Sequence, residues 1–332
     1  MRAAVIPRYG SPDVVQIGDV SKPAPAAGEV LIRVHATTVN RTDDGELRPG
    51  ILGRLFFGLT RPRRTIFGLD VAGVVEAVGA DVIALKPGDR VFGMCPHQGN
   101  GAQAEYVCVP ESGPIALMPA GLGFADAVVC EGAYYADSGL KKFDVGPGHK
   151  ILIYGASGAI GSSAVQLAKA RGAEVTAVVA TRHLELARSL GADRVIDYTA
   201  EDFSRLGERF DFVFEAVGKT SYLRCRRLLK PKGRFMATDA GPWGQYLPLL
   251  LWSAIARNDR VVVPLPPRGG GHAFVAFLKT RMEAGQFRAV VDRTYPLDAI
   301  ADAYRYVAAG QKAGIVVIEV VADDPLEAAQ AR

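Results

Sequence analysis

The chain has 332 residues, 49% hydrophobic and 22% charged, a balance that excludes a disordered polymer and has room for two ordinary domains. Its 39 Lys and Arg exceed 35 Asp and Glu by only four, and the one dense basic cluster is Arg61, Arg63 and Arg64. An anionic small ligand fits that charge pattern, and a nucleic-acid partner is not expected. Cys95, Cys108, Cys130 and Cys225 share no CxxC spacing, which argues against a disulfide framework or a closed zinc site and for a reducing, cytoplasmic compartment. No run is long and apolar enough for a membrane span; the Leu247-to-Ala256 stretch is short and carries Pro248.

From Met1 to about Pro119, short β-type runs are broken by Gly and Pro: Val30 to Val34, Gly73 to Val78, Arg90 to Gly93 and Ala104 to Val109. They predict an antiparallel, β-rich domain. From about Gly121 to Pro264, apolar strands alternate with helical stretches. Strands are predicted at 151–154, 174–179, 194–196, 211–215 and 233–238, with helices at 160–171, 182–190 and 221–229. Alternation of this kind predicts a doubly wound parallel sheet. The tail predicts helices over 272–284 and 297–309, then an apolar strand from Ile315 to Val320 that rejoins the first sheet. The expected division is therefore 1–120 with 265–332 for one domain and an inserted 121–264 for the other. Asp323 to Arg332 is polar, Ala-rich and expected to fray.

The most informative segment lies within 150–171, where a buried strand runs into Gly155-Ala156-Ser157-Gly158-Ala159-Ile160-Gly161 and then into an amphipathic helix. Glycines at this spacing let backbone approach a pyrophosphate and let the helix pack on the strand, so that N–H groups at the positive helix end meet phosphate oxygens. Gly155, Ser157, Gly158, Ala159, Ile160 and Gly161 are the expected contacts; a tight strand-to-helix turn without ligand is the competing meaning. The second strand ends in Ala180-Thr181-Arg182-His183, with no acid before Glu185. NAD-specific sites place an acid there, whereas Thr181 and Arg182 suit a 2′-phosphate, so NADPH is the expected cofactor.

Four segments carry a family resemblance: 71–79 (VAGVVEAVG) with 86–93 (KPGDRVFG); the glycine turn; 189–198 (SLGADRVIDY); and 291–297 (VDRTYPL). In this order and spacing the chain resembles the medium-chain dehydrogenase/reductase superfamily, and specifically its zinc-free quinone oxidoreductase branch. The resemblance implies a GroES-like β-domain with an inserted Rossmann domain. Where zinc-dependent members carry a Cys and a His ligand, this chain has Asn40 and Leu69; Cys130 falls on the third position, where a small buried hydrophobe is the preferred reading. No bound metal is expected.

Without a Lewis acid an unactivated alcohol has no evident means of stabilising an alkoxide, whereas a quinone or enone takes hydride and spreads charge onto an oxygen that hydrogen bonds can stabilise. The expected activity is NADPH-dependent reduction of such an acceptor. The resemblance puts Asn40 beside the nicotinamide, its amide able to offer an N–H; a turn or cap is the alternative. Thr42 and Asp43 are candidates for a proton path, Asp43 equally for a helix cap. Tyr134 occupies a column that usually holds Thr and either donates its phenol or packs. The resemblance also carries Tyr198, Gly218 and Thr238 over to the cofactor. Residues Ile51 to Phe67 are read as the apolar mouth of a substrate site or as a core loop, and Val261-Val262-Val263 as an edge strand that pairs in a homodimer. Two other functions stay open: an alcohol dehydrogenase with residual metal, and a non-catalytic NADPH-binding protein.

Overall fold

The computed structural model describes residues 1–96, 101–239, 246–255, 260–262 and 270–321; His97, Val263 and the 323–332 tail lie outside the described residues. The chain opens with an antiparallel ribbon of β1 (Arg2–Val5) and β2 (Gln16–Asp19). Next comes β3 (Glu29–Val39), eleven residues long, which pairs antiparallel with β4 (Asp70–Val78), β6 (Tyr106–Pro110) and, much later in sequence, β15 (Ile315–Glu319). Between β3 and β4 lie α1 (Arg41–Leu47) and α2 (Ile51–Phe57), and β5 (Arg90–Met94) and β7 (Ile115–Leu117) complete this side of the sheet. The predicted strand 30–34 runs on to Val39 because Thr37 and Thr38, polar in sequence, are fully buried and bond to Asp70.

After α3 (Phe124–Ala127) the chain enters α4 (Cys130–Phe143), which the sequence did not announce because Gly132 and Gly139 read as breakers. Packing explains them. A Cβ on Gly139 would sit 2.4 Å from the Phe214 ring, and one on Gly132 would sit 3.1 Å from Ala159 backbone, so both glycines permit close helix approach.

A parallel sheet follows, ordered β10 (Arg194–Asp197), β9 (Glu174–Val179), β8 (Lys150–Tyr154), β11 (Phe210–Glu215), β12 (Leu229–Ala237), β13 (Val261–Val262). Its central strands are buried on both faces, which is why they read as continuous apolar runs rather than alternating ones. The crossovers are α5 (Ala159–Ala170), α6 (Leu184–Ser189) behind a 3-10 turn at Thr181–His183, and α7 (Tyr222–Cys225), with α8 (Tyr246–Ile255) before β13. The predicted helix 221–229 is therefore one short helix plus a 3-10 turn, since Leu229 already pairs with Phe210 in the sheet. The order reverses between β8 and β11, the switch point at which doubly wound sheets bind ligands.

The tail contributes α9 (Gly271–Glu283), β14 (Val291–Pro296) and α10 (Ile300–Ala308), which buries Ile300, Ala303, Tyr304 and Val307 on one stripe, and then β15 returns to β3. By their contacts the residues form two compact units, Met1–Glu131 with Gly269–Arg332, and Gly132–Arg268. The sequence reading drew the first boundary at 120/121. The later division leaves α3 with the first unit, where it packs on β3, β4 and β5.

Candidate active site

In the second unit, β8 delivers the chain into the glycine turn. Gly155 has φ of 77°, which a side chain resists, and a Cβ on Gly161 would lie 2.1 Å from the Gly155 carbonyl oxygen. These two residues close the turn and seat α5 on it. Gly158 differs: a Cβ there would meet nothing nearer than 3.6 Å. Its backbone is thus bare where the N-terminus of α5 begins at Ala159, a cradle that fits a pyrophosphate. Ser157 and Ile160 are half-buried beside it. Gly218 follows β11 with φ of 73°, and the Glu215 carboxylate holds its loop by accepting from the Val217, Gly218 and Lys219 amides at 3.1, 2.7 and 3.2 Å. Burial pushes Glu215 up to about 7 despite those donors. Thr238 sits just past β12, its amide bonded to the Glu215 carbonyl.

At the end of β9, Thr181 and Arg182 are exposed. The Thr181 hydroxyl donates to the Asp197 carboxylate at 2.6 Å, and Thr199 donates to the same carboxylate. Asp197 ends β10 beside Val179, so the parallel register brings an acid to a corner that looked acid-free along β9 alone. These hydrogen bonds hold Asp197 below the usual carboxylate range. Tyr198 is exposed, its ring 5.9 Å from Tyr154.

The first unit holds a buried polar cluster. Asn40 precedes α1, and its Nδ2 lies 2.9 Å from Thr38 Oγ1, 3.3 Å from Asp70 Oδ2 and 2.7 Å from Glu131 Oε2. Both N–H groups of the Asn40 amide therefore face acceptors within this cluster. Its Oδ1 is buried without a partner. Asp70 accepts from Thr38 Oγ1 at 2.9 Å, from the Glu131 amide at 2.7 Å and from the Cys130 amide, and so closes the first turn of α4 from another element. Asp43 accepts the Asn40 amide at 2.7 Å and the Gly68 amide at 3.2 Å, so from the N3 position of α1 its carboxylate satisfies the backbone N–H of the N-cap residue. Thr42 hydrogen-bonds to Glu131.

Burial pushes all three acids up: Asp70 to about 6, Asp43 to about 7 with Glu46 adding repulsion, and Glu131 to about 8 with Asp43 and Asp70 adding theirs. They titrate as one system, and near neutral pH that system holds at least one proton. Burial also keeps the Cys130 thiol well above its ordinary value, with the Asp70 charge working the same way, so its thiolate is disfavoured. Half-buried Lys312 is held below the usual lysine value by desolvation, offset in part by Glu131 and Asp292.

Comparison with known proteins now decides the family. Residues 26–120 match the model of the alcohol dehydrogenase GroES-like domain, and residues 190–318 that of the zinc-binding dehydrogenase. The chain is 33% identical to a 2-methylene-furan-3-one reductase of Solanum lycopersicum, over 97% of this chain and 79% of that one. It is also 33% identical to an NADPH-dependent alkenal/one oxidoreductase of Arabidopsis thaliana, with 96% and 79% covered. The chain belongs to the medium-chain dehydrogenase/reductase superfamily, in its quinone oxidoreductase-like branch. The quinone oxidoreductase of Coxiella burnetii shares its fold at a TM-score of 0.84 and 24% identity, over 97% of this chain and 99% of that one.

As a medium-chain dehydrogenase/reductase the chain is an oxidoreductase with a nicotinamide cofactor, and the bare Gly158 cradle fits that group. Of the expected site residues, Asn40, Thr42 and Asp43 share one cluster in the first unit, while Gly155 to Gly161, Gly218 and Thr238 lie along the strand ends of the second. Tyr134, half-buried on α4, has its phenol held above its ordinary value by burial and Asp137. Sequence reasoning did not single out Asp70, Glu131 or Asp197 as organisers of these sites. Single acids in apolar surroundings, as in Gly68-Leu69-Asp70-Val71 and Val129-Cys130-Glu131, were the available signal. Among the described residues no group of three His, Cys, Asp or Glu is arranged to hold a metal ion.

Proposed function

We propose that this medium-chain dehydrogenase/reductase uses NADPH to reduce a quinone or an α,β-unsaturated carbonyl without a metal, as a cytoplasmic homodimer. One observation carries the reading. Where the family's zinc chemistry needs a thiolate, Asn40 has its amide nitrogen tied to Glu131, Asp70 and Thr38, and Leu69 supplies no ligand atom. Both carboxylates already accept protein donors, and the Cys130 thiol is held neutral, so the set suits hydrogen-bond chemistry rather than a cation. The relatives from Solanum lycopersicum and Arabidopsis thaliana, a 2-methylene-furan-3-one reductase and an NADPH-dependent alkenal/one oxidoreductase, support the same acceptor class.

When bound, the nicotinamide supplies hydride to an activated carbon, and the protein's task is to position and to stabilise charge. Amides at the glycine turn and the α5 N-terminus hold the pyrophosphate. Thr181 and Arg182 take the 2′-phosphate, with Tyr198 at the adenosine end and Gly218 and Thr238 toward the ribose and nicotinamide. Asn40 and Asp43 position the first turn of α1, which carries Thr42. The Thr42 hydroxyl donates to the ionised Glu131 carboxylate; once Glu131 is protonated its O–H would become the donor to Thr42 Oγ1 and leave the Thr42 hydroxyl free to hydrogen-bond the acceptor's oxygen, with the Tyr134 phenol as a second donor.

An NADPH-oxidation screen over quinones, enones, aldehydes and alcohols, run beside metal analysis, tests the proposal. Turnover of quinones or enones by zinc-free protein is the expected result. Alcohol-dependent NADP reduction that tracks one tightly held zinc per chain overturns it. The free state of all four cysteines fits a reducing compartment, and β13, at the end of the parallel sheet, is the edge proposed to pair in the dimer; sedimentation measures that state.

A further inference from the structure

Between Leu47 and Leu69 the chain carries five arginines and no acid. Two of the five are neutralised: Arg48 pairs with Asp44, and Arg64 with Glu46 at 2.6 Å. Arg54, Arg61 and Arg63 have exposed side chains, and among the described residues no carboxylate pairs with them. Interleaved with these cations are the most concentrated exposed apolar side chains of the first unit: Leu55 at 57% exposure, Phe56 at 75%, Phe57 at 37% and Leu59 at 67%. Isolated exposed leucines need no explanation, but four large apolar side chains within five residues form a patch that water disfavours.

The patch stands on a built platform. The Tyr9 hydroxyl donates to the Gly58 carbonyl at 2.8 Å, the Gly58 amide caps α2 through the Arg54 carbonyl at 2.9 Å, and the Arg63 amide returns to the Phe57 carbonyl at 2.8 Å. Gly58 has φ of 128°, and a Cβ there would lie 2.1 Å from the Arg61 carbonyl oxygen, so the turn is closed tightly beneath the apolar tips. Arg54 rests over the Tyr9 ring at 5.5 Å. Apolar tips on a fixed base, beside three guanidiniums with which no carboxylate of the described residues pairs, match an interface of hydrocarbon beneath phosphate.

We propose that this surface docks the protein peripherally on an anionic phospholipid bilayer. Leu55, Phe56 and Leu59 enter the acyl boundary, and Arg54, Arg61 and Arg63 pair with lipid phosphates. Among the described residues no helix is long and apolar enough to cross a membrane, so the contact is superficial and reversible. The proposal stands independently of the reductase reading.

Cosedimentation of the full chain with vesicles tests it, using phosphatidylcholine alone and phosphatidylcholine mixed with phosphatidylglycerol, at low and high salt. Binding is expected to the mixed vesicles only and to weaken with salt. The double variant Arg61→Glu, Arg63→Glu should bind them at least about tenfold more weakly. The pair Leu55→Ser, Phe56→Ser should lose binding even at low salt. Circular dichroism checks that each variant is folded, and turnover of a water-soluble quinone by the wild type without vesicles reports on the reductase reading separately. Absence of wild-type binding, equal binding to both vesicle types, or binding unchanged by either variant overturns the proposal. So does self-association of the wild type that the same variants abolish, since the patch is then a protein interface.

Discussion

The glycine turn and the Asn40 cluster are built in opposite ways. The turn is mostly local: residues 155–161 hold each other through backbone contacts, and neighbours such as Val217, packed against Gly155, and Val178, whose carbonyl accepts the Gly155 and Ala156 amides, brace it from outside. The cluster joins Thr38, Asn40 and Asp43 from the end of β3 and the start of α1 with Asp70 on β4 and Glu131 on α4, its hydrogen-bonded side chains up to 91 residues apart. A local site can be damaged by one atom in the wrong place. A distributed site fails when a shared acceptor is removed, and it responds to pH.

The largest contrast is expected at the turn. Gly161→Val puts atoms where the Gly155 carbonyl already sits and should cost about 3 kcal/mol of stability together with nearly all cofactor binding, read by thermal melts and cofactor titration. Gly158→Ala should leave the melt unchanged and weaken NADPH by about tenfold, because its Cβ meets only ordinary van der Waals contacts, the nearest at 3.6 Å, but covers backbone that a phosphate would approach. Equal loss of stability in both would mean that the Gly158 opening is structural.

Next in size, Asp70→Ala strands the Thr38 hydroxyl, an Asn40 N–H and two α4 amides in a buried setting. It should destabilise the chain by about 3 kcal/mol in denaturant. A cost near zero would show that water replaces the carboxylate and that the cluster is not the rigid unit described above.

The pH response follows from the direction of the shifts. Folded Asp70, Asp43 and Glu131 hold their protons up to about pH 6, 7 and 8, well above their unfolded range, so between about pH 4 and 8 the folded state binds more protons than the unfolded one. Stability that these groups favour at low pH is lost as pH rises through that window, and Tm should be higher at pH 5 than at pH 8. Glu215, raised to about 7, adds to the same slope. Glu131→Gln keeps an acceptor for Asn40 but removes one titration, so its Tm should vary less between pH 6 and 8.

The smallest effect expected concerns the adenosine corner. Arg182→Ala should lower the NADPH over NADH ratio of kcat/KM by about tenfold. Asp197→Asn removes the charge that holds Thr181 and should raise that ratio by about threefold. A fall on removing Asp197 would mean that Thr181 needs its partner to be aimed correctly.

Elements with strong periodicity were legible: β9 was placed residue for residue, and α5 and α9 each within one residue of their ends. α4 was not, because its glycines serve neighbours rather than the helix itself. Candidate residues were legible one at a time, as with Asn40 and Thr181. What each bonds to was not, because their partners Glu131 and Asp197 belong to other elements.

Sequence alone determined the strand-turn-helix unit, the alternation that gives a parallel sheet, and the absence of a Cys and a His at two ligand positions. These depend on neighbours along the chain, whose spacing fixes backbone geometry directly. Tertiary structure decided that the Asn40 amide points into two carboxylates and that Asp70 closes α4. It also decided that an acid stands beside Thr181 and that apolar side chains on α2 stay in water beside arginines with which no carboxylate of the described residues pairs. Those outcomes depend on register and burial, which bring distant residues within hydrogen-bond reach and change the charge they carry.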